Sequence, residues 1–547
     1  MKRACTHKLI SLHENKTVQV PCLTDRQTSG NFKINSSRMN YFILLFTVIL
    51  TVSCTKLDPE IYSDLTTGNA YSTESDINAA LIGVYADLAP YPGDGFMYYN
   101  GYLVMTTDYT TDMGFSTAAG DPTKLSNFTY DANNRYFQYN WRYMYEVISN
   151  ANLLLSKIDG VQIDATKKKQ IIGQARFLRA LAYRDLTDAW GPVPLLTDVK
   201  APSATIDMEL SPVADVDKVI IEDCKYAIEN LPESWSAEDG LARATKGAAL
   251  ALISNVYLRA HDYANSKTYV DQLLSMLNQG KYKLNSDFKN VWSESNKFDK
   301  GMIFCILHES SMNGGEITNH FGPADNKDVP NRWQYYAVSL EFWRKYSDRD
   351  PRKQFFYFNY EGNDPRDSKT THGFYYMMPE VGQTVPPSDT IKLLKNVATM
   401  KYSYEMISDA YYDGRTISVF RIEDIILYKA EIENELNGPA AALPYLNQIR
   451  ARAKAPEYGK DSAFPAPTTK EEMASKILDE RGFELVFEYK RRPDLIRFGK
   501  YETICNSYLT SRGLSASVKS TMRYFPYPLV DAQLNKNMAA ENTNRLP

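Results

Sequence analysis

The feature that most constrains this chain is a run in which small and large residues alternate at helical spacing across two helices joined by a tight turn. It reads ALALISNVYLRAHDYANSKTYVDQLL and spans residues 249–274. Alanine and serine at every third or fourth position let two antiparallel helices approach closely, while His261, Asp262 and Tyr263 form the turn between them. The pattern resembles a tetratricopeptide repeat. Similar grammar recurs in DIILYKAEIENELNGPAAALPYLNQI, where Gly438 closes one helix and Pro439 opens the next. Helical spacing also predicts elements through Ile77, Leu81, Val84 and Leu88, with Ser75 or Asp76 as cap, through 147–158 and 171–186, and through 216–231 with 244–260. Stacked pairs of this kind make a continuous scaffold, so 547 residues need not imply several domains.

Two stretches interrupt the pattern. Residues 90 to about 134 are rich in Gly, Tyr, Asp and Thr and read as a long functional loop. Between about Asn278 and Ser418, clusters of Gly, Pro, Asn and aromatic residues read as an irregular lobe laid over the scaffold. A separate β-rich domain is the alternative, supported by short runs such as MIFCIL. The expected fold is therefore mainly α: a tetratricopeptide-like helical-repeat scaffold with a loop-rich lobe and a few short strands.

The N-terminal region sets the expected compartment. Tyr41 to Val52 form an apolar run that is shorter than the roughly 20 residues a membrane-spanning helix needs. The run ends at Thr51, Ser53 and Cys54 and gives way at once to polar TKLDPE, as a signal peptide does at its cleavage site. This resembles a bacterial lipoprotein signal, with Cys54 as the acylated first residue, although Leu50 sits one place further from it than usual. The alternative is a conventional cut that frees a soluble protein. Because forty residues precede the run, Met39 is the expected start and residues 1–38 a mis-annotated extension, leaving 39–53 as the signal peptide. Residues 1–53 hold seven Lys/Arg and two Asp/Glu, so without them the net charge moves from −4 to −9. That argues against nucleic acid as a partner.

Cys5, Cys22, Cys54, Cys224, Cys305 and Cys505 include no C-x-x-C pair, and the six histidines include no H-E-x-x-H. Neither a metal site nor a cofactor is expected. The sequence also lacks a G-x-S-x-G elbow, a phosphate-binding loop and a dinucleotide fingerprint. Glu480, Glu484 and Glu488 recur at i, i+4 and i+8, and paired carboxylates can cleave glycosidic bonds. With Arg481, Lys490, Arg491 and Arg497 close by, they read more simply as ion-paired scaffold.

Several blocks together resemble the SusD/RagB family of nutrient-binding outer-membrane lipoproteins. They are Cys54 followed by LDPE and NAYSTESDINAALIGVYADL; QARFLRALAYRDLTDAWGPVPLL; FRIEDIILYKAEIENELNGPAAALPYLNQIRARA, with Asn447, Arg450 and Arg452; and ILDERGFELVFEYKRRPDLIRFGKY, matching at Glu480, Arg481, Glu484, Leu485, Glu488, Arg491, Asp494, Leu495, Arg497 and Gly499. Arg492 and Pro493 stand where an aromatic pair is common, and the Asn-rich end lacks the usual Gln-Asn-Pro-Gly-Tyr. The resemblance implies an N-terminal helical part over 54–277 and a C-terminal part over 278–547, the latter divided into the lobe 278–418 and a helical block 419–547. It also implies lipid anchorage at the outer membrane, facing the cell surface, and a SusC-like TonB-dependent transporter as partner. The implied ligand is an oligosaccharide, or peptides as in some relatives. A glycosidase and a pure assembly scaffold are the competing classes.

Binding a sugar needs aromatic faces for its C–H side and polar groups for its hydroxyls. With 39 Tyr, 23 Phe and 6 Trp the chain has aromatic faces in abundance. The expected contacts are Tyr98, Tyr99, Asn100 and Asp108, together with their neighbours Tyr102, Tyr109 and Asp112, in the first stretch. In the second they are Asn331, Arg332, Trp333, Tyr335 and Tyr336, with Gln334 beside them.

Overall fold

The computed structural model of the protein describes residues 71–90, 98–116, 118–201, 206–237, 240, 242–309, 320–321, 336–361, 372–376, 392–399, 401 and 414–546. Cys54, Asn331, Arg332, Trp333, Gln334 and Tyr335 lie outside the described residues. The fold is mainly α. In chain order the helices are α1 Glu74–Ala86, α2 Tyr102–Asp108, α3 Asp121–Ser126, α4 Arg135–Lys157, α5 Ala165–Trp190, α6 Val213–Asn230, α7 Lys246–Arg259 and α8 Tyr263–Asn278. After the lobe come α9 Leu340–Trp343, α10 Ile422–Asn437, α11 Pro439–Arg452, α12 Lys470–Glu484, α13 Arg491–Arg497, α14 Tyr501–Ser511, α15 Leu529–Leu534 and α16 Lys536–Arg545.

Each long helix packs on the next, α4 on α5, α5 on α6, α6 on α7 and α7 on α8; α8 then meets α10, which packs on α11 and α12. Local chemistry sets the boundaries. Thr73, rather than Ser75 or Asp76, caps α1: its hydroxyl accepts from the Asp76 N–H at 3.2 Å, while the Asp76 carboxylate accepts from the Thr73 N–H at 2.8 Å. Helix α5 ends at Gly191, whose φ of 70° lies in the left-handed region. A Cβ there would also come within 2.7 Å of the Tyr524 ring, so both backbone and space demand glycine. Between α7 and α8 the small residues act as expected. Ala248, Ala249 and Ala251 are buried, and the Ser266 hydroxyl donates to the Ser254 carbonyl at 2.9 Å.

Strands β1 Gly114–Ser116, β3 Tyr336–Val338, β4 Phe356–Glu361, β5 His372–Tyr376 and β6 Lys392–Thr399 form an antiparallel sheet in the order β1-β3-β6-β4-β5. Its edge strand β1 comes from the N-terminal part, with Phe115 opposite Ala337, so the sheet is stitched to the helical body and is no separate β domain. Strand β2, Met302–Ile306, pairs antiparallel with β7, Ile417–Arg421, which runs straight into α10.

The stretch 90–134 is more ordered than its composition suggests. It holds a 3₁₀ turn at Tyr98–Asn100, α2, β1 and α3. Its threonines bond their own backbone, as when Thr107 donates to the Leu103 carbonyl at 2.7 Å and Thr110 to that of Thr106 at 2.5 Å. Leu103, Val104, Met105, Thr106, Thr107 and Asp108 are all buried, so this short helix has no polar face and leaves no apolar period to read.

Candidate functional site

The structure corrects the expected contacts in the first stretch. Tyr98 and Tyr99 are fully buried, and each donates its hydroxyl to Asp185 Oδ2 at 2.6 Å; Asp185 in turn pairs with Arg184 at 3.0 Å. Asp108 is buried as well, accepting from the backbone N–H groups of Tyr489 at 3.1 Å and Arg491 at 3.3 Å. It thereby holds a turn in which Phe487 and Tyr489 adopt left-handed φ values of 56° and 50°, a conformation that non-glycine residues keep only when their surroundings impose it. Tyr109 packs inside against Tyr336 and Phe487, and Asp112 forms a two-pronged pair with Arg491 at 2.9 and 3.0 Å. Tyr336, expected on the surface, is buried on β3 among Tyr109, His320 and Phe321. These residues belong to the interior. Asn100 closes the 3₁₀ turn, and its side chain, like that of Tyr102, lies outside the described residues.

The acidic series is likewise interior, with two differences from expectation. Helix α12 ends at Glu484, so Glu488 is not on its face, and the partner cations come mostly from distant segments. Glu480 pairs with Arg352 at 2.7 Å and Arg450 at 2.8 Å. Glu484 pairs with Arg421 at 2.6 Å, Arg352 at 3.0 Å and Arg452. Glu488 takes Arg421 at 3.0 Å and Lys401. With Asp350 on Arg352 at 2.8 Å and Glu423 on Arg421 at 2.9 Å, five carboxylates meet five cations among the described residues. Burial alone would raise the Glu484 carboxyl, but Arg452, Arg421 and Arg352 outweigh it and hold the group well below the usual carboxylate range. Arg481 goes instead to Asp424 and Asp494 at 2.8 Å, Arg497 to Glu431 at 2.8 Å and Lys490 to Asp424 at 3.3 Å. At 1% exposure or less, the three glutamates are shut away from solvent.

Open clefts lie elsewhere. One, of about 680 Å³, is floored by the C-terminal turn of α1 and the outgoing end of β2: Ile82, Tyr85, Leu88 and Pro90 face Arg243, Phe298, Ile306 and His308. The Tyr85 hydroxyl fixes its wall by donating to Gln174 at 2.9 Å and accepting from the Ala244 N–H at 2.8 Å. Phe298 also borders a second, polar cleft of about 470 Å³, lined by Lys283, Asn285, Ser286, Ser295, Asn296, Asp299 and Lys300. Phe298 is 49% exposed between the two. The turn that presents Phe298 is built on Asp299, whose carboxylate accepts from Asn285 at 2.6 Å, Asn296 at 2.8 Å and the Gly301 N–H at 2.7 Å. A Cβ on Gly301 would lie 2.8 Å from that carboxylate and 3.1 Å from the Lys283 carbonyl, so this turn closes only around glycine. An aromatic face between an apolar and a polar hollow can hold an amphipathic ring. Sequence reasoning passed over Phe298, although a lone aromatic in the polar run SESNKFDKG marks an exposed ring.

A third cleft, of about 630 Å³, lies between α4 and α15, with Tyr139, Trp141 and Tyr145 facing Ile206, Val530 and Leu534. Among the described residues no group of three or more His, Cys, Asp or Glu is placed to hold a metal ion, and no helix is long and apolar enough to cross a membrane.

A helical body locked by buried ion pairs, with its open clefts lined by aromatic and hydrogen-bonding side chains, defines a ligand-holding class of protein. The chain belongs to the SusD/RagB family: residues 278–545 match the SusD family, and residues 57–258 match a family described as starch-binding, associating with the outer membrane. It is similar to SusD-like protein P2 of Formosa agariphila, 25% identical with 84% of this chain and 90% of the relative covered. It is also similar to a SusD-like protein of Bacteroides ovatus, 32% identical with 66% of this chain and 65% of the relative covered. Among solved structures, a laminarin-binding SusD-like protein superposes with a TM-score of 0.67 at 23% identity, covering 85% of this chain and 98% of that one.

Proposed function

We propose that this protein is a non-catalytic, cell-surface lipoprotein, anchored at the outer membrane through Cys54, that binds a glycan and delivers it to a SusC-like TonB-dependent transporter. The observation that carries the glycan reading is Phe298, a half-exposed ring set between an apolar and a polar cleft on a rigid turn. Such a ring stacks on the C–H face of a pyranose while the polar cleft meets its hydroxyls. The starch-binding description of the N-terminal match and the laminarin-binding relative support the same class of ligand. Burial and ion pairing of Glu480, Glu484 and Glu488 support binding without turnover. Trp333, Tyr335, Asn331 and Arg332 stand as further proposed contacts on the chemistry of their side chains, and the antiparallel helix pairs read as tetratricopeptide-like.

The test is affinity electrophoresis in gels containing neutral, uronate-bearing or sulfated polysaccharides, followed by calorimetry with oligosaccharides of the retarding polymer. Phe298→Ala and Trp333→Ala should each weaken binding roughly thirtyfold, as loss of an anchoring aromatic does, and leave Tm unchanged. Retardation in none of the gels, or full affinity in both variants, overturns the reading.

A further inference from the structure

The polar cleft beside Phe298 carries a charge arrangement that a neutral sugar does not require. The Lys283 N–H donates to the Lys300 carbonyl at 3.1 Å, which sets the two lysines opposite each other on one lip of the cleft. Both side chains are exposed, and among the described residues neither forms an ion pair. Their chain neighbours differ: Lys281 pairs with Glu233 at 3.1 Å and Lys297 with Glu309 at 3.1 Å. Asp299, next to Lys300 in sequence, has its oxygens engaged by Asn285, Asn296 and the Gly301 N–H. Two ammonium groups with no ion-pair partner among the described residues thus share the mouth of a hollow in a chain of net charge −4. An incoming anion would gain two ammonium partners at once.

Resting on the glycan reading above, we propose that the ligand is an acidic glycan: an anionic substituent, a uronic acid carboxylate or a sulfate ester, sits between Lys283 and Lys300 while its ring lies on Phe298. The same panel of gels separates the sources. The neutral arm is starch, laminarin and dextran, the carboxylate arm polygalacturonate and alginate, and the sulfate arm carrageenan and dextran sulfate. The protein should be retarded in at least one acidic gel and in no neutral one, and the arm that responds identifies the substituent. Lys283→Gln with Lys300→Gln should then weaken binding roughly tenfold at low salt, with Tm unchanged, because two exposed charge contacts are lost. Lys218→Gln with Lys225→Gln, on the remote helix α6, should leave it intact. Retardation in neutral gels alone overturns the acidic-ligand proposal and leaves glycan binding standing, as does acidic-gel retardation that the Lys283/Lys300 variant preserves or the Lys218/Lys225 variant also abolishes. Retardation in no gel removes both.

Discussion

Replacing Glu484 by Gln separates a structural carboxylate from a catalytic one. The substitution keeps the side chain's size and one acceptor oxygen but removes a charge shared by Arg421 at 2.6 Å, Arg352 at 3.0 Å and Arg452. Five buried cations would then face four carboxylates, and breaking a buried pair in this way costs about 3–5 kcal/mol. At roughly 2.1 cal/mol/K of unfolding entropy per residue, a cooperative unit of about 480 residues has an entropy near 1 kcal/mol/K, so Tm should fall by about 3–5 °C. Differential scanning fluorimetry at pH 7 resolves such a drop. The sign of the pH dependence is fixed as well. Because the folded-state carboxyl lies below its ordinary range, its contribution is fully present above the unfolded value near pH 4.3 and is lost as pH falls through the folded value. The gap between wild type and variant should therefore close below about pH 4. A Tm within about 1 °C of wild type at pH 7, combined with a glycan turnover that the variant abolishes, would refute the structural assignment.

Two further outcomes follow from buried and terminal groups. Burial pushes the Asp108 carboxyl up to about 8, so the neutral form is favoured in the fold and its stabilising effect is lost as pH rises through that value. Asp108→Asn should therefore flatten the decline in Tm between about pH 5 and pH 8, and parallel Tm curves for variant and wild type would sink this account. Cys54→Ala should move the protein from the membrane fraction to the soluble fraction; a variant that stays wholly membrane-bound places the anchor elsewhere.

The paired helices were legible because Ala248, Ala251, Ser254 and Ser266 recur at helical spacing and bury together. Helix ends marked by Gly191 and Gly438 were legible for the same local reason. The interior of 98–113 was not, because Tyr98, Tyr99 and Asp108 are buried by hydrogen bonds to Asp185, Tyr489 and Arg491, which lie 86 or more positions away. Polar aromatic segments look the same in sequence whether they face solvent or a buried acid. The carboxylate series exposed the same limit. Spacing suggested Arg481 and Arg491 as partners, whereas folding brought Arg352, Arg421, Arg450 and Arg452. The Phe298 cleft escaped notice because its walls, α1, the 283–300 turn and β2, are adjacent only in space.

The contact between Trp190 and the segment 525–545 bears on the order of events in synthesis. Arg545 donates to the carbonyls of Trp190 at 2.7 Å and Phe525 at 3.2 Å, and the Trp190 indole N–H donates to the Pro526 carbonyl at 3.0 Å. Some 355 residues separate Trp190 from Arg545. A chain emerging N-terminus first thus has the end of α5 in place long before its partner exists. Until residues 525–545 arrive, the Trp190 indole and carbonyl have no mates, and the ring against which Trp141 and Phe525 pack lies open. Translation order therefore leaves this seam open until residues 525–545 have been made.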